Sequence, residues 1–266
     1  MQADGMKKTL IVALGVSLVC SIIVSAAAVS LSGIQSQNRK IDRLKNILQA
    51  GDLYQPGVDV QAIYEERIVP KLVDLSTGEI VPDDQIPDEL APTAYSIPKV
   101  AGSTEFGVAI PADQDPPGIK RKPKFMYIYQ VNNAAGEMEK LIFPIFGKGL
   151  WSTMYGFLAL DRDLKTIRGI TFYEHGETPG LGGEVDNPRW KESWKGKTAF
   201  NDQNDIIIEV IKGQVDPGSP QANHQIDGLS GSTITTRGVD NTIEYWLGEY
   251  GYGEYLNKLR QEGANG

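Results

Sequence analysis

The sequence predicts an α+β protein, with a single N-terminal transmembrane helix followed by a soluble domain built on a largely antiparallel sheet. Residues 9–31 carry no charge, and after residue 124 a succession of short apolar runs alternates with polar turns. Few long helical patterns interrupt those runs, so they are expected to pair as a meander with helices to one side of the sheet.

At 266 residues the chain holds one sizeable domain plus an anchor, and 41% hydrophobic content argues against both wholesale disorder and a polytopic membrane protein. Residues 1–31 are read as an N-terminal tail and anchor. As a helix, residues 9–31 would span roughly 35 Å, enough to cross a hydrocarbon core of about 30 Å. A cleaved signal peptide is the competing reading, since Lys7 and Lys8 precede the run and Ser25-Ala26-Ala27-Ala28 offers small residues to a peptidase. The run is longer than a signal core and no polar break precedes the alanines, which favours a retained anchor.

Residues 32–52 form the next segment, an amphipathic stalk helix. Ile41, Leu44, Ile47 and Leu48 recur at helical spacing between charged residues, as for a stalk that packs on the domain or on partner subunits. The soluble domain is expected over 53–266, with a loop-rich excursion at 82–123. That excursion is dense in proline and acidic residues, holds Lys120-Arg121-Lys122, and reads as surface, facing partners.

Strands are expected at 125–131 and 140–145 around the turn 132–136, at 154–160 and 167–172 around the turn 161–163, and at 205–211. Downstream, Val239, Ile243, Trp246 and Leu247 recur at i, i+4, i+7 and i+8, one buried face of a helix, and Thr235 or Thr236 suits its N-cap.

Charge and cysteine usage narrow the function. A formal charge of −8 argues against nucleic-acid binding. Cys20 is the only cysteine and lies inside the apolar run, so neither a disulfide framework nor a cysteine-rich metal site is expected. The two histidines, His175 and His224, lack the carboxylate or cysteine spacing of a metal set. No Ser/His/Asp set, Walker-type loop or dinucleotide fingerprint is present, so the chain is not expected to bind NADH itself. For Trp151, Trp190, Trp194 and Trp246 the ordinary role is core, with Trp151 the exception.

Two glycine-rich segments remain. Asp227-Gly228-Leu229-Ser230-Gly231-Ser232-Thr233 is a loop of small side chains placed ahead of the predicted helix. A threonine hydroxyl is a poor nucleophile, so its modification needs an accessible, mobile loop that a separate enzyme can thread into its own site. The free N–H groups and dipole of the following helix suit a phosphate there. The bland alternative is a loop with a cap. Upstream, His175-Gly176-Glu177-Thr178-Pro179-Gly180-Leu181-Gly182-Gly183-Glu184 follows a strand-like run at 169–173, and its own bland alternative is a Gly/Pro turn.

Together, in this order, the two segments resemble the FMN-binding domain family. With Gly147-Lys148-Gly149-Leu150-Trp151, Asn187-Pro188-Arg189-Trp190 and Trp194-Lys195-Gly196-Lys197, the chain is similar along most of its length to the C-subunit family of Na+-translocating NADH:quinone oxidoreductases. The stretch from Gly183 through Pro188 favours this family over the G subunits of Rnf-type complexes.

The resemblance implies FMN joined through its phosphate to Thr233. It implies further cofactor contacts from Asp227, Ser230, Gly231, Ser232 and Thr235, from Glu177, Thr178, Gly180, Leu181 and Gly182, and from Trp151 and Ser152. Glu177 is expected to organise its loop by hydrogen bonds. The family's acceptor pattern has alanine where this chain has Ser232, which leaves a second hydroxyl beside Thr233.

An electron-carrier role within a sodium-pumping NADH:quinone oxidoreductase follows from the resemblance, taking electrons from an iron–sulfur centre to the next flavin toward quinone. The implied partners are the other subunits, a flavin transferase during maturation, and membrane lipid. The implied location is the bacterial inner membrane, single-pass, with the large C-terminal domain on the periplasmic side. Arg39, Lys40, Arg43 and Lys45, counted alone, would instead place that domain in the cytoplasm. A membrane-anchored FMN-binding sensor or scaffold, without sustained electron flow, is the alternative of a different class.

Overall fold

A computed structural model of the chain describes residues 2–264. The elements in order are α1 (Gln2–Ala50), α2 (Val60–Arg67), β1 (Ile68–Asp74), β2 (Glu79–Ile80), α3 (Ile97–Gly102), β3 (Gly107–Ala109), β4 (Arg121–Pro123), β5 (Phe125–Asn132), β6 (Met138–Lys148), β7 (Thr153–Asp161) and β8 (Ile167–Glu174). They continue with α4 (Pro188–Glu192), β9 (Glu209–Val210), β10 (Gln225–Ile226), α5 (Thr233–Leu247) and α6 (Gly253–Ala264). The chain divides into two compact units, one ending at Arg43 and the other beginning at Leu44.

The first unit consists of α1 up to Arg43. It is long and apolar enough to cross a membrane, and Leu10, Ile11, Leu14, Leu18, Ile22 and Ile23 all stand exposed on it, as suits a segment whose solvent is hydrocarbon. The expected boundary between anchor and stalk at residue 31 is absent, because both lie in α1. Gly33 falls near that point, but a penalty of about 1 kcal/mol does not interrupt α1.

The helix ends in the second unit. Leu53 donates its amide to Leu48 O and Asp52 to Gln49 O, with Asp52 itself in the left-handed region at φ 57°, the Schellman arrangement that satisfies terminal carbonyls. Asp52 is held there by Lys195, 2.8 Å from its carboxylate.

A six-stranded sheet in the order β2-β1-β5-β6-β7-β8 forms the frame, antiparallel at every pairing. Register pairs Ile142 with Ala159 and Phe143 with Leu158, so those two pairs point to opposite faces. On the first face sits the end of α1: Ile47, Leu48 and Ala50 are buried, Thr171 donates to Asn46 O, and a Cβ at Gly169 would come within 2.6 Å of Ala50 O. On the second face Phe143 meets Tyr252 and Tyr255 beside and within α6, and Gly147 leaves room for Thr242 of α5.

Helices therefore cover both faces, a correction to the expectation of helices to one side. β6 is buried from Lys140 through Gly147 without alternation, and a strand apolar on both faces needs cover on both.

Other differences have local causes. Within the run 205–211 a strand forms only over Glu209–Val210, parallel to β10, with a single antiparallel bridge from Ile206 to Phe200, and the side chain of Asn201 accepts from the amides of Gln203 and Asp205 where the chain turns just before it. β1 is not among the expected strands, since Pro70 interrupts its apolar pattern. β2 flanks β1 only at Val73 and Asp74, so proline sits on an open edge where no ladder donor is required. The excursion 82–123 is more than a surface loop. It contains α3 and the β3–β4 hairpin, buries Leu90, Tyr95, Ile97 and Val100, and is tied to the sheet by Tyr127 Oη donating to Leu90 O and Tyr95 Oη to Phe125 O.

Candidate functional site

Helix α5 begins at Thr233 with Ser232 as its N-cap, three or four residues earlier than an N-cap at Thr235 or Thr236 would place it. Those hydroxyls are engaged elsewhere. Thr236 Oγ1 donates to Ser232 O and accepts from the Leu229 amide, closing the loop on itself, while Thr235 Oγ1 donates to Glu177 at 2.6 Å. Ser232 takes the N-cap position without a capping hydrogen bond from its side chain, and Gly231 before it has φ 69°, which glycine adopts freely. Thr233 is thus the first helical residue, and it is exposed.

The two neighbouring hydroxyls differ sharply. Ser232 is 7% exposed and its Oγ donates to Thr235 Oγ1 at 3.0 Å. The Thr233 side chain stands open beside a cleft.

Glu177 is the centre of the site. It is 5% exposed, and its carboxylate accepts from the amides of Leu150 (3.1 Å), Trp151 (2.9 Å) and Ser152 (3.3 Å) as well as from Thr235 Oγ1. Burial pushes its pKa up, but the bonds from Thr235 and the three amides outweigh burial and hold it below the ordinary glutamate value. The carboxylate is therefore charged at neutral pH and serves as the anion in a nest of backbone donors.

Two glycines allow this convergence: a Cβ on Gly149 would lie 2.5 Å from Glu177 Oε1, and one on Gly182 would lie 2.6 Å from Thr235 Oγ1 and 2.7 Å from Glu177 Oε2. Three separated segments of the sequence meet at one carboxylate. The same loop is braced by Ser152 Oγ, which accepts from the Gly176 amide at 2.6 Å, and by His175. His175 Nδ1 accepts from the Glu177 amide and Nε2 lies 2.9 Å from Asp186, so Nε2 carries the proton. The hydrogen bond to Asp186 raises the imidazole pKa, against partial desolvation.

Around this centre lies a cleft of about 360 Å³, within the range of small-molecule sites. One wall is Leu150 and Trp151, another Thr178, Leu181 and Gly182, and the third Gly231 through Ile234. Trp151 is 67% exposed and Ile234 59%, and with Leu150 and Leu181 they form an uncovered apolar patch around the Thr233 hydroxyl. Trp190, Trp194 and Trp246 are core, as usual for tryptophan.

These residues fit FMN: apolar side chains for an isoalloxazine ring, an exposed hydroxyl at a helix N-terminus for the phosphate, and Arg237 exposed one turn further along α5.

Among the residues expected to contact a cofactor, Trp151, Glu177, Thr178, Leu181, Gly182, Gly231, Ser232 and Thr233 line the cleft together. Thr235 is fully buried and reaches the site through its hydrogen bonds to Glu177 and from Ser232. Asp227 lies away from the cleft lining: its carboxylate accepts from the Val215 amide and its carbonyl from Trp190 Nε1, so it anchors the base of the loop that leads to Thr233. Ser152 braces the Gly176 amide, Gly180 forms an exposed left-handed turn at φ 76°, and Ser230 is exposed outside the lining. Leu150 and Ile234 also line the cleft, and a reading of the sequence misses them. Nothing in their own sequence distinguishes an apolar residue left in the open from one bound for the core.

An FMN-binding domain family model matches residues 149–248. The chain is 46% identical over 257 residues to the C subunit of the Na(+)-translocating NADH-quinone reductase of Pseudomonas aeruginosa, covering 96% of each. It is 43% identical over 262 residues to that of Vibrio parahaemolyticus, covering 98% of each. Among solved structures, the crystal structure of Shewanella oneidensis NqrC matches with TM-score 0.74 and 32% identity, over 84% of this chain and 99% of that one. The corresponding C subunit from Parabacteroides distasonis matches with TM-score 0.63 and 29% identity, over 85% and 96%.

Proposed function

Since the chain belongs to the C-subunit family of Na(+)-translocating NADH-quinone reductases and carries its FMN-binding domain, we propose that it is the covalently flavinylated electron carrier of that complex. In this reading it receives electrons from an iron–sulfur centre in another subunit and delivers them to the next flavin toward quinone. FMN supplies the redox chemistry when bound, and the chain supplies attachment, orientation and exclusion of water.

The observation that carries the attachment is the contrast between Ser232 and Thr233. Thr233 offers an exposed hydroxyl at the cleft, whereas the Ser232 hydroxyl is buried and donated to Thr235. Formation of the ester joins Thr233 Oγ1 to the FMN phosphorus, releases the hydroxyl proton, and breaks the bond from that phosphorus to the leaving group of an activated FMN donor held by a flavin transferase. The positive end of α5 and the exposed Arg237 one turn along it would hold the phosphodiester charge. Trp151, Leu150, Leu181 and Ile234 offer apolar surface to the ring.

The anchor of α1 is read as single-pass in the bacterial inner membrane, with lipid around its apolar stretch and the flavin domain on the periplasmic side, where the transferase acts. Thr233→Ala protein co-expressed with the transferase should run as a non-fluorescent band under denaturing electrophoresis. A flavin-fluorescent band would refute the acceptor assignment. Deleting the chain should also abolish quinone reductase activity of the purified assembly, whereas a sensor or scaffold would leave it intact.

A further inference from the structure

Thr235 is fully buried and adds no surface to the cleft, yet its hydroxyl spans from one wall to the other. A carboxylate only accepts, so Thr235 must spend its proton on Glu177 and can accept the proton of Ser232 in turn. The directions are thereby fixed: Ser232 donates to Thr235 and Thr235 to Glu177, which also accepts from the amides that define the 150–152 loop. The hydroxyl of Thr236, by contrast, bonds only within the acceptor loop and first turn. The backbone of α5 also approaches the start of that loop at Gly238, where a Cβ would meet Lys148 O at 2.3 Å, but this lies more than a turn beyond Thr233.

We propose that Thr235 is a positioning residue for the flavin site: its hydroxyl, through Glu177, sets the separation between Thr233 and Trp151, and so how closely a tethered ring can approach that indole. The proposal rests on flavin attachment at Thr233. Three features support it: full burial of Thr235, a 2.6 Å bond to a charged and otherwise saturated carboxylate, and the placement of exposed Trp151 on the loop that carboxylate holds. Loss of this bond removes a charge-assisted link while Thr233 and Trp151 remain.

The test uses the full chain, flavin-loaded by co-expression with the transferase and extracted from the membrane, with Thr235→Val, Thr235→Ala, Thr235→Ser and Ser232→Ala. Flavin emission per mole of attached FMN is measured in the folded protein and again after denaturation. Indole quenches flavin emission on contact, so Thr235→Val, by removing a bond to a charged group, should brighten folded-state emission roughly severalfold. Thr235→Ser should restore wild-type emission, which a purely space-filling role for the threonine would not predict. Ser232→Ala should brighten it more weakly.

Wild-type emission from Thr235→Val, with FMN on Thr233 in both proteins, overturns the inference. If Thr235→Val does not fold, wild-type emission from a folded Thr235→Ala protein overturns it instead. Absence of FMN from the wild-type peptide would reject the attachment at Thr233 itself, a different failure read from the same samples by mass.

Discussion

Replacing Glu177 by alanine should be among the most damaging single changes in the domain, although the residue sits on a loop. The substitution strands the amides of Leu150, Trp151 and Ser152 and the hydroxyl of Thr235 in a site only 5% exposed at Glu177. Each hydrogen bond to a charged group contributes about 1.5–3 kcal/mol, and the loop beyond the site is exposed enough for water to recover part of the loss, which leaves a net cost of about 3–5 kcal/mol. Glutamine keeps the shape and one accepting oxygen, so about 2 kcal/mol is expected for it.

Urea unfolding of the full chain in detergent, followed by the emission of buried Trp190, Trp194 and Trp246, measures both. The effect also has a pH signature. The folded-state pKa of Glu177 is depressed, so its charge contributes stability above the ordinary value of 4.5, and that contribution is lost as pH falls through the lower folded value. The gap between wild type and Glu177→Gln should therefore be full at pH 7 and close on acidification. A cost below about 1 kcal/mol for alanine, or a gap that widens in acid, would refute the view of Glu177 as a charged hub.

Gly182→Ala would force a Cβ to within 2.6 Å of Thr235 Oγ1 and should cost about 1–3 kcal/mol by thermal unfolding, with loss of native flavin emission in the same protein. Trp151→Ala should leave stability within about 0.5 kcal/mol, since the side chain is largely exposed, while altering the visible absorption and emission of attached flavin. Asp186→Asn should lower the His175 pKa toward its ordinary value, followed by imidazole NMR titration, because the bond to Asp186 is the leading cause of its elevation. The His175–Asp186 pair accordingly contributes stability at pH below 6.5 that declines as pH rises through the elevated folded value.

Much of the domain was legible in the sequence because its signals are contiguous. The strands β5 to β8 are runs bounded by turn residues, and the helix face of Val239, Ile243 and Trp246 is buried as its period requires. The expectation of helices to one side overlooked that the run through β6 is buried without alternation and needs cover on both faces. What was not legible depends on distant contacts. Capping preference places the start of α5 at Thr235 or Thr236, but their hydroxyls serve Glu177, 58 positions away, and Leu229. Asp227 looks like a ligand group by its place in the glycine-rich loop, yet an amide twelve residues upstream occupies it. The three glycine-bearing segments can be identified separately. That they converge on one carboxylate, with Gly149 and Gly182 as the points of close approach, is a property of the fold alone.

The central claim is attachment of FMN to Thr233, and peptide mass spectrometry of the membrane-extracted native protein tests it most directly. The expected result is FMN, in ester linkage, on the peptide spanning residues 230–237, with fragment ions placing it on Thr233 and leaving Ser232 free. An unmodified peptide from cells with an active flavin transferase, or modification on Ser232, would contradict it.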